Sequence, residues 1–343
     1  MSIQTRVPSQ DYRELKQLIS SHGLLQSKTS YYIAKTIVAL ATLAAVAFIA
    51  VVSDNVWILL LDAIFLAFAS TQIAMLGHDV GHRQGFRGKR SNKISRFVFG
   101  GVLLGISPSW WNDKHNQHHA TPNHLEKDPD IQFPMIVFSP SQIASRSKAL
   151  RPFIAFQAFV FVMLLPLQAA NMRRTSIQYI VSGQSRRPRL EVFGMAIHFA
   201  LYTLLLLQLP SLGVGIAFVF VHQAAFGLYN SSVFASNHKG MTLIEEGARL
   251  DFLREQVITA RNVNGNPFVD FWMGGLNYQI EHHLFPTMPR CNLRKAQPII
   301  EKFCRDRGVD YHSTSIVEAY REGLVHLHQA SASLRGGQPA QAA

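Results

Sequence analysis

Long uncharged apolar runs alternate along this chain with short basic and polar stretches, the pattern of a membrane protein rather than a soluble one. After a polar leader over residues 1–30 come runs at about 32–52 and 56–77, separated only by Ser53-Asp54-Asn55. Each is near the roughly 20 residues that a helix needs to cross the hydrocarbon core, so together they predict a tight helical hairpin. The run at 97–106 is short and holds Gly100, Gly101 and Gly105. At 1.5 Å per residue it reaches about 15 Å against a core of about 30 Å, and it does not cross. Three further runs follow at about 152–172, 190–209 and 211–235. Residues 241–330 read as helices and loops, with turns at Asn264-Gly265-Asn266-Pro267 and Phe285-Pro286. From about 331 the chain is mostly Ser, Gly, Gln, Ala and Pro without periodicity, which predicts a disordered tail over 331–343. In the leader, Tyr12, Leu15, Leu18 and Ile19 share one helix face, suited equally to a membrane surface or to a solvated helix.

Charge orients these runs. No Lys or Arg occurs from residue 36 to 82, and then Arg83, Arg87, Lys89, Arg90, Lys93 and Arg96 follow closely. By the positive-inside rule the second run exits into the cytoplasm. The net charge of +12 does not point to nucleic acid, because no interleaved aromatic and basic motif accompanies it. Beside apolar spans it reads as topology and contact with anionic headgroups. The two cysteines, Cys291 and Cys304, build no disulfide framework and make a poor thiolate metal site. No cleavable signal peptide is evident, since the first apolar run is too long for one.

The candidate chemistry lies in three histidine clusters. His115, His118 and His119 stand at offsets zero, three and four, which on a helix places three rings on one face. Gln279, His282 and His283 repeat that spacing with Gln in first place, and His78 and His82 sit one turn apart. One such cluster is as easily a polar helix face. Three clusters gather seven of the fifteen histidines, more than the four ligands of one structural zinc site. They suit two metal ions with open positions, although imidazole alone does not choose among iron, copper, zinc and nickel. His238, just past the run at 211–235, is an eighth candidate ligand. Asp79, Asp128, Asp130 and Glu281 are placed to orient ligand imidazoles, or are ordinary solvated carboxylates. His124 reads as a surface residue by default, as do His22, His312, His326 and His328, while His198 and His222 fall inside spans and read as interhelical hydrogen-bonders.

Ligands of one centre converge on one side of the membrane, so an even number of crossings separates the second and third clusters. One of the three later runs therefore stays inside. Arg173, Arg174, Arg186, Arg187 and Arg189 lie between the first and second of them, and no Lys or Arg occurs from 190 to 238. The runs at 190–209 and 211–235 then form a second hairpin through Pro210, and 152–172, broken by Pro166, packs on or into the inner leaflet. The expected fold is an all-α membrane protein, with four transmembrane helices in two hairpins. A cytoplasmic helical cap, from 78–189 and 236–330, holds a histidine-rich dimetal centre, all within one domain over 31–330.

These motifs resemble the membrane-bound fatty acid desaturases, whose pattern is three histidine boxes around two hairpins. The boxes here are His78-x-x-x-His82, His115-x-x-His118-His119 and Gln279-x-x-His282-His283, and Asp128-Pro129-Asp130-Ile131 also matches. The resemblance covers about residues 30–310. It implies two iron ions on the cytoplasmic face, dioxygen as co-substrate, and removal of two hydrogens from a long acyl chain to give a cis double bond and water. It also carries a ligand role onto His238. Gln in first place of the third box looks like the front-end branch. Many front-end enzymes carry a fused cytochrome-b-type domain, for which this chain has no room. The resemblance then implies a separate ferredoxin-like or flavin-linked donor, and suggests a bacterial inner-membrane enzyme. The substrate is a long-chain acyl group on lipid, coenzyme A or carrier protein, with membrane lipids as neighbours. Trp110, Trp111, Phe271 and Trp272 are candidate channel walls, or equally an interfacial aromatic belt.

Three rivals remain at this point, one of them a metal carrier, whose histidines would be expected within the spans. A di-iron hydroxylase uses the same boxes and leaves oxygen in its product. A membrane zinc protease requires His-Glu-x-x-His, whereas Asp79 follows His78 here and the third cluster would be idle.

Overall fold

The computed structural model describes residues 9–337. Among the described residues four helices are long and apolar enough to cross a membrane: α2 (Thr29–Val52), α3 (Val56–Gly81), α9 (Pro188–Leu206) and α10 (Leu212–Ala235). They match the four expected spans to within a few residues. Asn55 caps α3, its side chain accepting from the Trp57 and Ile58 amides, and so turns the first hairpin. Large apolar side chains such as Phe48, Trp57, Phe65 and Phe220 are exposed on these helices, as lipid-facing residues are.

The described residues pack as two compact units, each assembled from separate stretches. One takes Ser27–Asp113 and Leu165–Ser232; the other takes residues 9–26, Lys114–Leu164 and residues 233–337. Residues 78–113 and 165–187 pack in the same unit as the apolar helices.

In the apolar unit, α4 (Lys89–Arg96) runs into a turn of π-helix at Phe97–Leu103. It is far too short to cross, as expected, and its end leaves carbonyls to be satisfied. His198 Nδ1 donates to Val102 O at 3.2 Å and Arg173 Nε donates to Leu104 O at 3.1 Å. Gly105, at φ +65°, turns the chain there, and a Cβ at this residue would lie 2.4 Å from the His198 ring. His222 accepts from the Tyr202 hydroxyl at 2.8 Å and faces Ser70 Oγ at 3.4 Å. Both intramembrane histidines thus tie one element to another, as their sequence positions suggested.

The next helix, α5 (Pro108–Ala120), carries the second histidine motif. Its start is held by Glu191, a buried carboxylate that accepts from Ser107 Oγ at 2.6 Å, Ser185 Oγ at 2.9 Å and the Ser109 amide at 3.2 Å. The expected inner-leaflet run is bent by 89° at Phe156, between residues 148–155 and 157–181.

The second unit has its main core where Leu15 and Ile19 of α1 (Gln10–Ser21) meet Leu253, Val257, Ile280, Leu284 and Ile300. Leu15 and Ile19 of the leader's apolar face are therefore buried against protein, with Tyr12 partly so, while Leu18 stays exposed. Residues 1–8 lie outside the described residues. The tail also keeps order further than expected: Ala332–Arg335 forms a 3-10 turn, Ser331 is buried, and Arg335 donates to the Ala155 carbonyl. The remaining tail residues, 338–343, lie outside the described residues.

Candidate metal centre

The histidine-rich helices of the second unit are α5 and α13 (Gln279–Leu284). The helical spacing brings His115 and His119 of α5 together, with Nε2 atoms 3.1 Å apart. Their neighbour is His282 of α13, whose Nε2 is 3.1 Å from His119 Nε2. A second group comprises His118, His238 and His283, each offering one nitrogen within 4.8 Å of the others. The rings interleave: His119 and His283 stack at 4.2 Å, and His118 meets His238 edge-on at 4.6 Å.

In the second group the outer nitrogens are already engaged. His118 Nδ1 donates to the Asp128 carboxylate at 3.0 Å, His238 Nδ1 to the Thr259 carbonyl at 2.9 Å, and His283 Nδ1 to Gln256 Oε1 at 2.9 Å. An imidazole that donates through Nδ1 turns a lone pair outward at Nε2. His118 Nε2 and His238 Nε2 face each other at 3.3 Å. Two lone pairs at that distance repel unless a cation lies between them, and three convergent imidazoles exceed what one proton satisfies. Nitrogens each 2.0–2.1 Å from one ion, at angles of about 90–110°, stand about 2.8–3.4 Å apart. The donor set and its spacing therefore fit a metal ion.

Electrostatics favour a cation here. Burial alone would lower the His118 pKa, but the Asp128 and Asp130 carboxylates outweigh it and raise the value. Burial and the neighbouring His118 hold His238 well below the usual histidine range, so its lone pair stays available. Asp128 is fully buried and also accepts the Asn123 amide at 2.8 Å and the Asp130 amide at 2.9 Å. Asn123 sits in the left-handed region at φ +55°, which lets the loop after α5 fold back beneath His118. Asp130 pairs with Lys114 and lies 3.6 Å from His118 Nδ1. Both carboxylates address the outer edge of His118, so they support the imidazole instead of forming an ion site with it.

Glu281 stands apart from the ligand rings. Its carboxylate accepts from the Tyr311 hydroxyl and the Asn262 amide, each at 2.7 Å, and burial pushes its pKa up to about 7. The suggested role of orienting an imidazole does not fit these bonds. His124 is buried rather than on the surface, and its Nδ1 lies 3.8 Å from the Glu126 carboxylate. Gln256, Thr259 and Asn123 were not singled out from the sequence. Gln256 lies 27 residues from its imidazole partner, and no local spacing announces such a pair.

In the apolar unit His78 and His82 end α3, their rings 4.9 Å apart, and His78 Nδ1 is 3.3 Å from Asp79 Oδ1. Trp111 packs edge-on against His78 at 5.6 Å. A mostly apolar cavity opens beside His78, lined by Ala74, Gly77, Gly100, Leu104 and Trp111, with Arg96 among its polar residues. Trp110 packs on the same unit's core. Phe271 is exposed and Trp272 stacks on Phe268 at 6.0 Å. Neither of those two is among the residues that line this cavity.

A sequence profile described as fatty acid desaturase matches residues 55–315. The chain is 30% identical to a Delta(6)-fatty-acid desaturase of Caenorhabditis elegans, over 93% of this chain and 74% of that protein. It is 32% identical to an acyl-lipid (9-3)-desaturase of Physcomitrium patens, over 89% of this chain and 60% of the relative. With a Delta(8)-fatty-acid desaturase of Helianthus annuus it shares 28% identity, over 95% of this chain and 74% of the relative.

Proposed function

The chain belongs to the fatty acid desaturase family, and on that footing we propose that it inserts a cis double bond into a long acyl chain at a two-iron centre. It is an integral membrane enzyme acting on fatty acyl lipid; iron, dioxygen and the electron donor are the proposed parts. The observation that carries the reading is the pair of opposed Nε2 lone pairs on His118 and His238, 3.3 Å apart, with their outer nitrogens engaged.

His115, His118, His119, His238, His282 and His283 hold the metals, and we assign His78 and His82 to the same ligand set on their motif. An unactivated methylene has no acidic proton, so side-chain acid–base chemistry cannot remove its hydrogens. When bound, the iron pair supplies the oxidising chemistry that this requires. The balance is one saturated carbon–carbon unit, one dioxygen, two electrons and two protons, giving one double bond and two waters. The electrons come from a separate ferredoxin-like or flavin-linked protein. The chain's own residues hold and shield. Asp128, Thr259 and Gln256 fix three imidazoles, and the apolar cavity beside His78 suits an acyl segment kept from water. The relatives named as Delta(6), Delta(8) and acyl-lipid (9-3) desaturases favour a front-end position for the new bond and a lipid-borne acyl group. The Arg-rich stretches support a centre on the cytoplasmic face of the membrane.

The test is expression in a host of defined lipid profile with a ferredoxin system supplied, followed by mass-spectrometric location of double bonds. New cis double bonds in host acyl chains are expected from the wild-type chain. Acyl products that gain one oxygen and no double bond would make it a hydroxylase. An unchanged lipid profile from membrane-inserted, iron-loaded protein would overturn the reading.

A further inference from the structure

In the second motif the first place is held by His115, whose Nε2 joins the first ligand group. In the third motif that place is Gln279. A glutamine side chain offers either an oxygen lone pair or an N–H donor, and its surroundings decide which end points at the imidazoles.

Those surroundings are unambiguous. Asn237 is buried, and its Nδ2 donates to the Leu276 carbonyl at 3.1 Å and lies 3.4 Å from the Val233 carbonyl. Turning this amide over would set Oδ1 against both carbonyl oxygens. Ser236 Oγ holds the other end, donating to Asn237 Oδ1 at 3.0 Å. So oriented, Asn237 Nδ2 also donates to Gln279 Oε1 at 3.0 Å. The Gln279 oxygen is thereby turned away from the histidines, and Gln279 Nε2 lies 3.0 Å from His238 Nε2. His238 cannot turn its own donor to this place, because its Nδ1–H is on the Thr259 carbonyl.

We propose that Gln279 is a hydrogen-bond donor aimed at the His238 side of the second group rather than a metal ligand, and that Asn237 is the positioning residue that sets its sense. The inference rests on the metal reading above. On it, the third motif adds no ligand at its first place. At that place it sets an N–H beside the His238 lone pair instead.

The test is Co2+ titration of the metal-free, full-length protein in detergent, read by visible absorption. Removing a competing donor does not weaken binding: Gln279→Ala is expected to hold Co2+ within threefold of wild type or more tightly. Gln279→Glu keeps the shape and still accepts from Asn237, but presents a carboxylate oxygen, so at least tenfold tighter binding is expected. Asn237→Ala frees the amide to turn its oxygen inward. It is expected to tighten binding, and that gain is expected to vanish in Asn237→Ala/Gln279→Ala. Weakening by more than threefold in Gln279→Ala would show a lost ligand and overturn the proposal, as would no tightening in Gln279→Glu. If Asn237→Ala does not fold, the two Gln279 variants decide the matter alone. A wild-type chain that takes up no Co2+ overturns the metal reading and this inference together. Normal uptake with weakened Gln279→Ala overturns the inference only.

Discussion

His283→Ala is expected to remove more than about 99% of desaturation while the chain still inserts in the membrane. Its ring is buried, lies 5.1 Å from His118 and 4.6 Å from His238, and stacks on His119. It thus belongs to one of the two histidine groups and packs on the other. Outer partners of metal ligands typically cost about 10–100-fold when lost, and a ligand costs more. The truncation also leaves Gln256 Oε1 without its donor in a buried site, a further loss of about 1–3 kcal/mol. That amount strains the fold without abolishing it, so membrane-inserted but metal-poor protein is expected. Double-bond yield per membrane-inserted protein is the measurement. A residual yield above about a tenth would remove His283 from the ligand set.

Asp128→Asn is expected to lower metal affinity about 10–100-fold. Each carboxylate oxygen accepts one backbone amide, Asp130 N on Oδ1 and Asn123 N on Oδ2, and His118 Nδ1 reaches both. An asparagine of the same shape must turn its NH2 toward one of those amides, so a donor meets a donor and a buried N–H goes unsatisfied. About 1–3 kcal/mol of stability goes with it. The negative charge that raises the His118 pKa, and favours a cation at its other nitrogen, is lost as well. Titration of the metal-free variant with Fe2+ under anaerobic conditions reads the effect. Affinity within threefold of wild type would show that Asp128 only closes its loop.

The four apolar spans were legible because span length is set by the bilayer and is one-dimensional along the chain. The histidine motifs were legible for a related reason: a zero, three, four spacing becomes a shared face as soon as the segment is helical. Residues that support the ligands were not legible in the same way. Gln256, and Asn123 with its left-handed backbone, act across folds of the chain that no local period encodes. Asp128 was visible through its place in Asp128-Pro129-Asp130, whereas Glu281, beside two candidate ligands in sequence, bonds Tyr311 and Asn262. Adjacency along a helix does not give a common direction to consecutive side chains. The leader was open between a membrane surface and water because its apolar face shows in sequence but its partners, Leu253 and Val257 among them, do not.

The most direct test of the central claim is metal analysis of anaerobically purified protein alongside His118→Ala and His283→Ala. Two irons per wild-type chain are expected, with a loss of at least one in each variant. A wild-type chain without iron, or an iron content indifferent to both substitutions, would contradict the account.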